Sequence, residues 1–299
     1  MQMKKTILII SLIVLSFLTA CSNKDLNIGD SEKLVVSASF YPQYYLAKEI
    51  GKDKINLSSI VPNGVEPHDF ELTIKQIKEI QSADVLILNG ANMEHWKDKL
   101  LKSINTQDIK IIESSKYVDV IKTDGIEDPH IWLNPKNMAK IAYEIKEVFI
   151  KKDAKNADFY ESNYKELSKK LMELDKNYET ILKDKKRDAI LVSHAAFSYL
   201  ANEYGFKQIA VTGISPEEEP SPGAMAELID MAKAENMKYI FLETLASPKT
   251  ANIIAEEANL EVLILNPVEG LTEEEQKSGE DYISIMEQNL LNLKKALVD

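Results

Sequence analysis

Short apolar runs recur along the chain from residue 34 onward, and segments with helical spacing separate them. Four runs lie in each half of the chain: Leu34–Ser39, Ile55–Val61, Val85–Gly90, Ile109–Ser114, Ala189–Ala195, Gln208–Gly213, Tyr239–Leu245 and Val262–Val268. Buried strands of parallel sheets are typically continuous apolar stretches, and helices of about 10–15 residues between them are typical of βα units. The pattern therefore predicts an α/β fold in which each half forms a parallel sheet flanked by helices.

A segment of different character, about Ala154 to Lys185, separates the two halves and contains neither Gly nor Pro. Its apolar residues recur every three or four positions, which predicts one stripe along a single long helix. The stripe consists of Tyr160, Tyr164, Leu167, Leu171, Leu174, Tyr178 and Leu182. We predict that this helix, residues 153–185, rigidly joins an N-terminal lobe, 34–152, to a C-terminal lobe, 186–299. A coiled-coil dimer is the competing interpretation of the stripe, but we expect a monomer.

Three pairs of residues mark the starts of further helices: Asn134-Pro135, Ser221-Pro222 and Ser247-Pro248. In each pair, the first residue is a good N-cap and the proline has a backbone angle suited to the first helical position. We therefore expect a helix to begin at each proline.

The first 21 residues have the pattern of an export signal. Lys4 and Lys5 precede an apolar run that is too short to span a membrane comfortably, and the sequence Leu18-Thr19-Ala20-Cys21 follows it. This sequence resembles a bacterial lipobox, in which the cysteine becomes the first mature residue and carries lipid. We predict a signal peptide over 1–20, lipidation of Cys21 and a flexible tether over 21–33. An uncleaved anchor and an ordinary signal peptide are the alternatives.

Charge and cysteine content exclude several classes of protein. Without residues 1–20, which contain two lysines and no acid, 34 basic residues face 48 acidic ones, a balance of about −14. Such a negative chain is not a nucleic-acid binder. Because Cys21 is the single cysteine, there is neither an internal disulfide nor a cysteine-rich metal cluster. The remaining length, about 265 residues, suits two domains.

The four histidines are the candidate functional residues. In open α/β sheets, ligands bind beyond the carboxyl ends of the strands. His68 follows the second apolar run, His130 precedes the helix capped by Asn134, and His194 ends the fifth run. These three are expected to meet in the cleft between the lobes. His95 lies beside a predicted buried stripe, so we expect a solvated helix residue there.

Five sequence blocks resemble the zinc-type metal-binding lipoproteins of ABC importers, a group of solute-binding proteins that also contains manganese-binding members. The blocks are GVEPHDFE, DPHIWLNP, VSHAAFSYLANEYG, EEEPSPGAMAELI and FLETLASPKTANIIAEE. They occur in the order of the family from about Val35 to the C-terminus. The resemblance implies two α/β lobes joined by one long helix, with a metal site in the cleft between them.

The resemblance also implies a ligand set. It assigns the first three metal ligands to His68, His130 and His194, and the fourth to a carboxylate after the last strand, for which Glu269 is the preferred residue. Glu243, Asp281 and the run Glu273–Glu275 are the alternatives. Trp132 and Phe70 are expected to pack beside the site.

The predicted donor set favours one metal. Three imidazoles and one carboxylate suit tetrahedral Zn²⁺, whereas Mn²⁺ prefers more oxygen ligands. Family members that bind manganese have a carboxylate where this chain has His194. In many zinc members a long loop rich in histidine and acidic residues precedes DPHIW, but the corresponding segment here is short and contains no additional histidine.

These observations predict a receptor that captures Zn²⁺ outside the membrane and delivers it to a cognate ABC permease with its ATPase. The protein is expected to be anchored by lipid at the outer face of the cytoplasmic membrane. An exported zinc hydrolase is the alternative from a different class, but catalytic zinc generally has three protein ligands and an open position. Some surface members of the family have been assigned an adhesin role, which the sequence neither supports nor excludes.

Overall fold

The computed structural model describes residues 33–123, 125–218 and 220–299. The predicted signal peptide, Cys21 and nearly all of the predicted tether lie outside these ranges. Within them, every helix is too short or too polar to cross a lipid bilayer.

The first sheet contains four parallel strands. These are β1 (Leu34–Ala38), β2 (Ile55–Ser59), β3 (Val85–Leu88) and β4 (Lys110–Glu113), with the spatial order β2–β1–β3–β4. The helices between them are α1 (Tyr41–Gly51), α2 (Ile74–Gln81) and α3 (Lys97–Ser103). All four residues of β3 are buried, because the strand is central and helices cover both faces of the sheet.

After β4, a small hairpin and two long helices connect the first sheet to the second. The hairpin pairs β5 (Lys122–Thr123) with β6 (Ile126–Glu127) in antiparallel fashion. The 3₁₀ turn Ile131–Leu133 then leads into α4 (Pro135–Lys152). The second long helix, α5 (Ala157–Leu182), follows α4.

The second sheet repeats the plan of the first. Its strands are β7 (Ala189–Val192), β8 (Lys207–Ala210), β9 (Tyr239–Leu242) and β10 (Glu261–Ile264), all parallel, in the order β10–β9–β7–β8. Its helices are α6 (Ser198–Tyr204), α7 (Pro222–Ala234), α8 (Lys249–Ala258), α9 (Glu273–Ser278) and α10 (Tyr282–Leu297).

The prediction of eight strands in two parallel sheets is therefore confirmed. Each strand ends one to four residues before the corresponding apolar run does. The last residues of the runs leave the sheet as loops at its carboxyl edge, where candidate ligands lie.

The long helix predicted between the halves is also confirmed as α5, although it is shorter than the predicted segment. A 3₁₀ turn, Ala154–Asn156, precedes it, and it ends at Leu182. Its apolar stripe is buried apart from the half-buried Tyr164. The helix packs against α1 and α4 from the first half and against α6 and α10 from the second. Because these helices cover the stripe, it is not available to form a coiled-coil dimer.

Two of the three predicted helix starts are confirmed. The Asn134 side chain accepts a hydrogen bond from the backbone N–H of Lys136, and Ser221 caps α7 in the same way through Ala224. The third prediction is wrong by one residue, because α8 begins at Lys249 and has no side-chain cap.

Candidate metal site

The four predicted ligands come from four different loops. His68 lies between β2 and α2, His130 immediately precedes the 3₁₀ turn before α4, His194 follows β7, and Glu269 follows β10. Because parallel strands of one sheet end at the same edge, loops far apart in sequence meet there. The structure brings all four side chains together.

Three imidazole nitrogens converge on one carboxylate oxygen. The Nε2 atoms of His68, His130 and His194 lie 3.3, 3.4 and 3.8 Å from Oε1 of Glu269. The Nε2 atoms of His130 and His194 lie 3.2 Å apart. Ligands at about 2.0–2.1 Å from a tetrahedral zinc ion are roughly 3.3 Å from one another. Three of these four separations match the edges of a zinc coordination tetrahedron, and the fourth, between His194 and Glu269, is about 0.5 Å longer.

The cluster is almost completely shielded from solvent. His130 and His194 are 0% exposed and Glu269 is 2% exposed, whereas His68 is half-buried. The second carboxylate oxygen of Glu269, Oε2, is buried and has no hydrogen-bond partner among the described residues. A buried anionic oxygen without a donor is costly unless a cation neutralises it, so this group fits a metal ion.

Asp128 holds the ring of His130 from the side opposite the site. Its Oδ1 accepts a hydrogen bond from the backbone N–H of His130 at 3.0 Å and lies 2.8 Å from Nδ1 of the ring. This contact places the proton on Nδ1 and leaves the Nε2 lone pair for a metal, as is usual for histidine ligands.

Electrostatics favour opposite charges on the members of this cluster. Burial lowers the pKa of His130, but contacts with Asp128 and Glu269 outweigh it and raise the pKa to about 9. Burial raises the pKa of Glu269, but its contacts with His130 and His68 hold that pKa well below its usual range. For His68 burial dominates and lowers the pKa. The metal-free site is therefore set up to exchange protons for a cation.

Glu243 lies against the Nδ1 side of the His194 ring. It lies at the end of β9, next to β7, and its Oε1 is 2.6 Å from Nδ1 of His194, a close ion-pair distance without hydrogen-bond alignment. The hydroxyl of Ser193 contacts the same oxygen. Glu243 was an alternative fourth ligand by sequence, and its position behind the ring of His194 depends on which strands are neighbours.

Glu66 is a further carboxylate beside the cluster, and the sequence analysis did not identify it. Its Oε1 accepts a hydrogen bond from the backbone N–H of His68 at 3.0 Å. Burial, together with the charges of Glu269 and Glu243, raises the pKa of Glu66 to about 9. It is therefore mostly neutral at pH 7. Its position two residues before His68, a predicted ligand, is the feature of the sequence from which Glu66 could have been identified.

The remaining carboxylate candidates lie at helix starts. Asp281 caps α10 by accepting a hydrogen bond from Ser284 N at 3.0 Å. Glu273–Glu275 form the first turn of α9, where Glu275 completes a capping box with Thr272. These groups stabilise helix starts, in keeping with their position in the first turn.

His95 is away from the cluster, as expected, but it is not in a helix. It occupies a turn before α3 and is exposed, with Nε2 3.4 Å from Oε1 of Glu71. Of the two residues predicted to pack beside the site, Trp132 does so. Trp132 is fully buried with its ring 5.1 Å from that of His130, and its Nε1 donates to the carbonyl of Pro267 at 2.7 Å. Phe70 is partly buried against the core.

A second acidic group, Asp175, Glu179 and Glu203, already surrounds a cation. The Nζ of Lys136 lies 2.7 Å from Glu203, 3.1 Å from Glu179 and 3.5 Å from Asp175. This network connects α4, α5 and α6. Because Lys136 already occupies the space among the three carboxylates, we assign this group as a structural ion-pair network.

Comparison with known proteins agrees with the fold. The profile of a family described as "Zinc-uptake complex component A periplasmic" matches residues 36–296. The high-affinity zinc uptake system protein ZnuA of Bacillus subtilis is 39% identical over 282 residues, covering 89% of this chain and 88% of that protein. The zinc-binding lipoprotein AdcA of Streptococcus pneumoniae is 36% identical over 98% of this chain, which spans 61% of the length of AdcA.

Solved structures show the same architecture. The Zn(II)-bound ZnuA-like domain of S. pneumoniae AdcA superimposes with a TM-score of 0.81 at 36% identity, covering 90% of this chain and 100% of that domain. The laminin-binding protein Lmb of Streptococcus agalactiae, described as having adhesin and metal-transporting activity, has a TM-score of 0.81 at 30% identity, covering 89% of this chain and 99% of Lmb. The chain therefore belongs to the family of periplasmic zinc-uptake complex component A proteins.

Proposed function

We propose that this protein is the extracytoplasmic zinc-binding component of an ABC importer. It captures Zn²⁺ with His68, His130, His194 and Glu269 and delivers the ion to a permease. The observation that carries this proposal is the convergence of three Nε2 atoms on Oε1 of Glu269, at 3.3, 3.4 and 3.8 Å, close to the roughly 3.3 Å edge of a zinc tetrahedron.

The donor set supports zinc as the substrate. Three neutral imidazoles and one carboxylate suit Zn²⁺, and Mn²⁺ prefers a site with more oxygen. Glu66 does not add a charged oxygen at neutral pH, because its pKa is about 9. Relatives described as zinc-binding or zinc-uptake proteins point to the same ion.

The number of ligands supports a carrier and not an enzyme. Catalytic zinc sites generally combine three protein ligands with an open position for water. Here four side chains surround the same small volume, and three of them are buried. Such a closed site holds an ion without exposing it to a substrate molecule.

The expected location is the outer face of the cytoplasmic membrane. Lipidation of Cys21 would anchor the protein there, and the pneumococcal relative is described as a lipoprotein. The protein is expected to act as a monomer with its cognate permease and ATPase. The lobes 34–152 and 186–299, joined by the helix 153–185, would enclose the ion between them.

Crystallography at the zinc absorption edge tests the proposal. The protein is purified without removing its metal, and anomalous difference density identifies the ion and its ligands together. We expect one peak bonded to the four named side chains. A peak elsewhere, or a fourth protein ligand other than Glu269, contradicts the assignment. Growth of a zinc-starved strain lacking its own zinc-binding component then tests transport, with the wild-type chain and His194→Ala compared.

Adhesion is a second candidate, because the structural relative Lmb is described as binding laminin. Immobilised laminin is presented to the wild-type protein and to His130→Ala, each with and without zinc. Saturable binding by the wild type supports the role, and its absence rejects it. A loss of binding in His130→Ala would show that adhesion depends on the metal site.

A further inference from the structure

The segment carrying His130 belongs to the first half of the chain, but residues of the second half hold it in place. The hydroxyl of Tyr199 donates to the carbonyl of Asp128 at 2.8 Å, and the hydroxyl of Tyr282 donates to the carbonyl of Trp132 at 2.7 Å. These five residues are all buried. The orientation of His130 therefore depends on contacts between the two halves.

Tyr199 occupies a special place among these contacts, because its hydroxyl joins both ends of the small hairpin. Besides donating to Asp128, it accepts a hydrogen bond from the backbone N–H of Ile121 at 3.1 Å. The N–H of Asp128 donates to the carbonyl of Ile121 at 2.9 Å. The hairpin has only two residues in each strand, too few to be stable on its own. Tyr199 thus fixes the backbone of Asp128.

Asp128 transmits this position to the metal site. Its carboxylate contacts both the backbone N–H and the ring Nδ1 of His130. A small displacement of Asp128 therefore rotates the ring and moves Nε2 away from Glu269. Tyr199 is also only five residues from His194. Tyr199 therefore lies in the segment that follows His194, and its hydroxyl contacts the segment that carries His130.

We propose that Tyr199 is a positioning residue for zinc binding, acting through Asp128 on His130. This inference rests on the proposed function. Loss of the hydroxyl leaves the buried carbonyl of Asp128 without its donor and the N–H of Ile121 without its acceptor, which is unfavourable. Changes to the groups that orient a metal ligand typically weaken metal binding by about 10- to 100-fold.

Tyr199→Phe tests the proposal, and Tyr204→Phe is its matched control. Both tyrosines are buried in α6, but the hydroxyl of Tyr204 donates to Asp175 at 2.9 Å, in the separate ion-pair network. We expect Tyr199→Phe to bind zinc about tenfold more weakly in chelator competition, with faster zinc dissociation. We expect Tyr204→Phe to bind like the wild type. Equal zinc affinities for Tyr199→Phe and the wild type would overturn the proposal.

A double-mutant cycle and a spectroscopic probe separate positioning from a general loss of stability. If Tyr199 acts through Asp128, Tyr199→Phe adds no further loss of affinity to Asp128→Asn. Additive losses would overturn the proposed route. With cobalt(II) in place of zinc, the visible spectrum of Tyr199→Phe should differ from that of the wild type, and Tyr204→Phe should not differ. An unchanged spectrum for Tyr199→Phe counts against a positioning role.

His130→Ala distinguishes failure of this inference from failure of the proposed function. If His130→Ala binds zinc as the wild type does, the proposed site is wrong and the role of Tyr199 fails with it. If His130→Ala loses zinc but Tyr199→Phe does not, only the role of Tyr199 is rejected.

Discussion

Glu243 Oε1 lies 2.6 Å from His194 Nδ1, on the side of the ring opposite the predicted zinc position. The two residues follow β7 and β9, which are neighbours in the second sheet. Asp128 likewise faces Nδ1 of His130, at 2.8 Å and with hydrogen-bond geometry. A carboxylate therefore lies against the Nδ1 side of two of the three predicted histidine ligands, a position from which such groups typically orient a metal-binding ring.

Glu243→Gln should weaken zinc binding by roughly 10- to 100-fold, because the carboxylate that lies against the ring of His194 is replaced by an amide. Chelator competition measures the change. Glu261→Gln is the control, since Glu261 is exposed and pairs only loosely with Lys295 at 3.4 Å. If the two variants bind zinc equally well, Glu243 has no role in orienting His194.

His194→Ala should leave the fold intact but reduce zinc affinity by more than the roughly 100-fold expected for an orienting partner. It removes one of four ligands, whereas His95→Ala removes an exposed side chain far from the cluster and should change nothing. Circular dichroism checks the fold, and chelator competition compares the affinities. Similar losses in both variants would reject the ligand assignment.

Zinc affinity should rise with pH up to about 9. The pKa of His130 is raised to about 9 in the metal-free protein, so at lower pH zinc must displace a proton from this ring. Each proton displaced changes the apparent affinity by about tenfold per pH unit. His68, whose pKa is lowered by burial, adds its own proton only at more acidic pH.

The measurement is the apparent zinc dissociation constant between pH 7 and pH 10, with chelator protonation corrected. It is made on Glu66→Gln, because Glu66 also titrates near 9 and would release its own proton when a cation binds. We expect a slope near one decade per pH unit that flattens above about 9. Asp128→Asn should lower the pKa of His130 and shift the bend to lower pH. An affinity independent of pH from 7 to 9 would be incompatible with displacement of a proton from His130.

Cys21→Ser should prevent lipidation and release the protein from the membrane, because the cysteine is the residue that would carry lipid. Detergent partitioning of cell fractions measures this change, with the unaltered chain as the control. Retention of the variant in the membrane fraction would indicate an uncleaved apolar anchor instead of a lipoprotein.

Leu171→Ala should destabilise the protein by about 2–5 kcal/mol, the usual range for truncation of a buried leucine. Leu171 is fully buried on α5, the helix that packs against helices from both halves of the chain. Met172→Ala is the matched control, since Met172 is the next residue on the helix and is 50% exposed. Urea denaturation of the metal-free protein measures both variants. Equal stabilities would mean that the stripe does not contribute to the packing of the two halves.

Local patterns in the sequence determined the elements of this protein. Apolar runs identified all eight strands of the two sheets, and the three- and four-residue spacing identified α5, because burial imposes these periods on the residues themselves. Capping chemistry located the starts of α4 and α7. The start of α8 was misplaced by one residue and His95 was wrongly assigned to a helix, since element ends depend on local contacts that periodicity does not encode.

The candidate ligands were identified by their position after strands and by resemblance to known blocks, and neither source contains distances. Only the tertiary structure brought four loops to within a few ångströms of one another. It also placed Glu243 against His194, Glu66 against His68 and Tyr199 against Asp128. The reason is physical: a carboxylate is a ligand, an orienting partner or a helix cap according to which atom it faces, and that depends on strand order and on packing between residues far apart in the sequence.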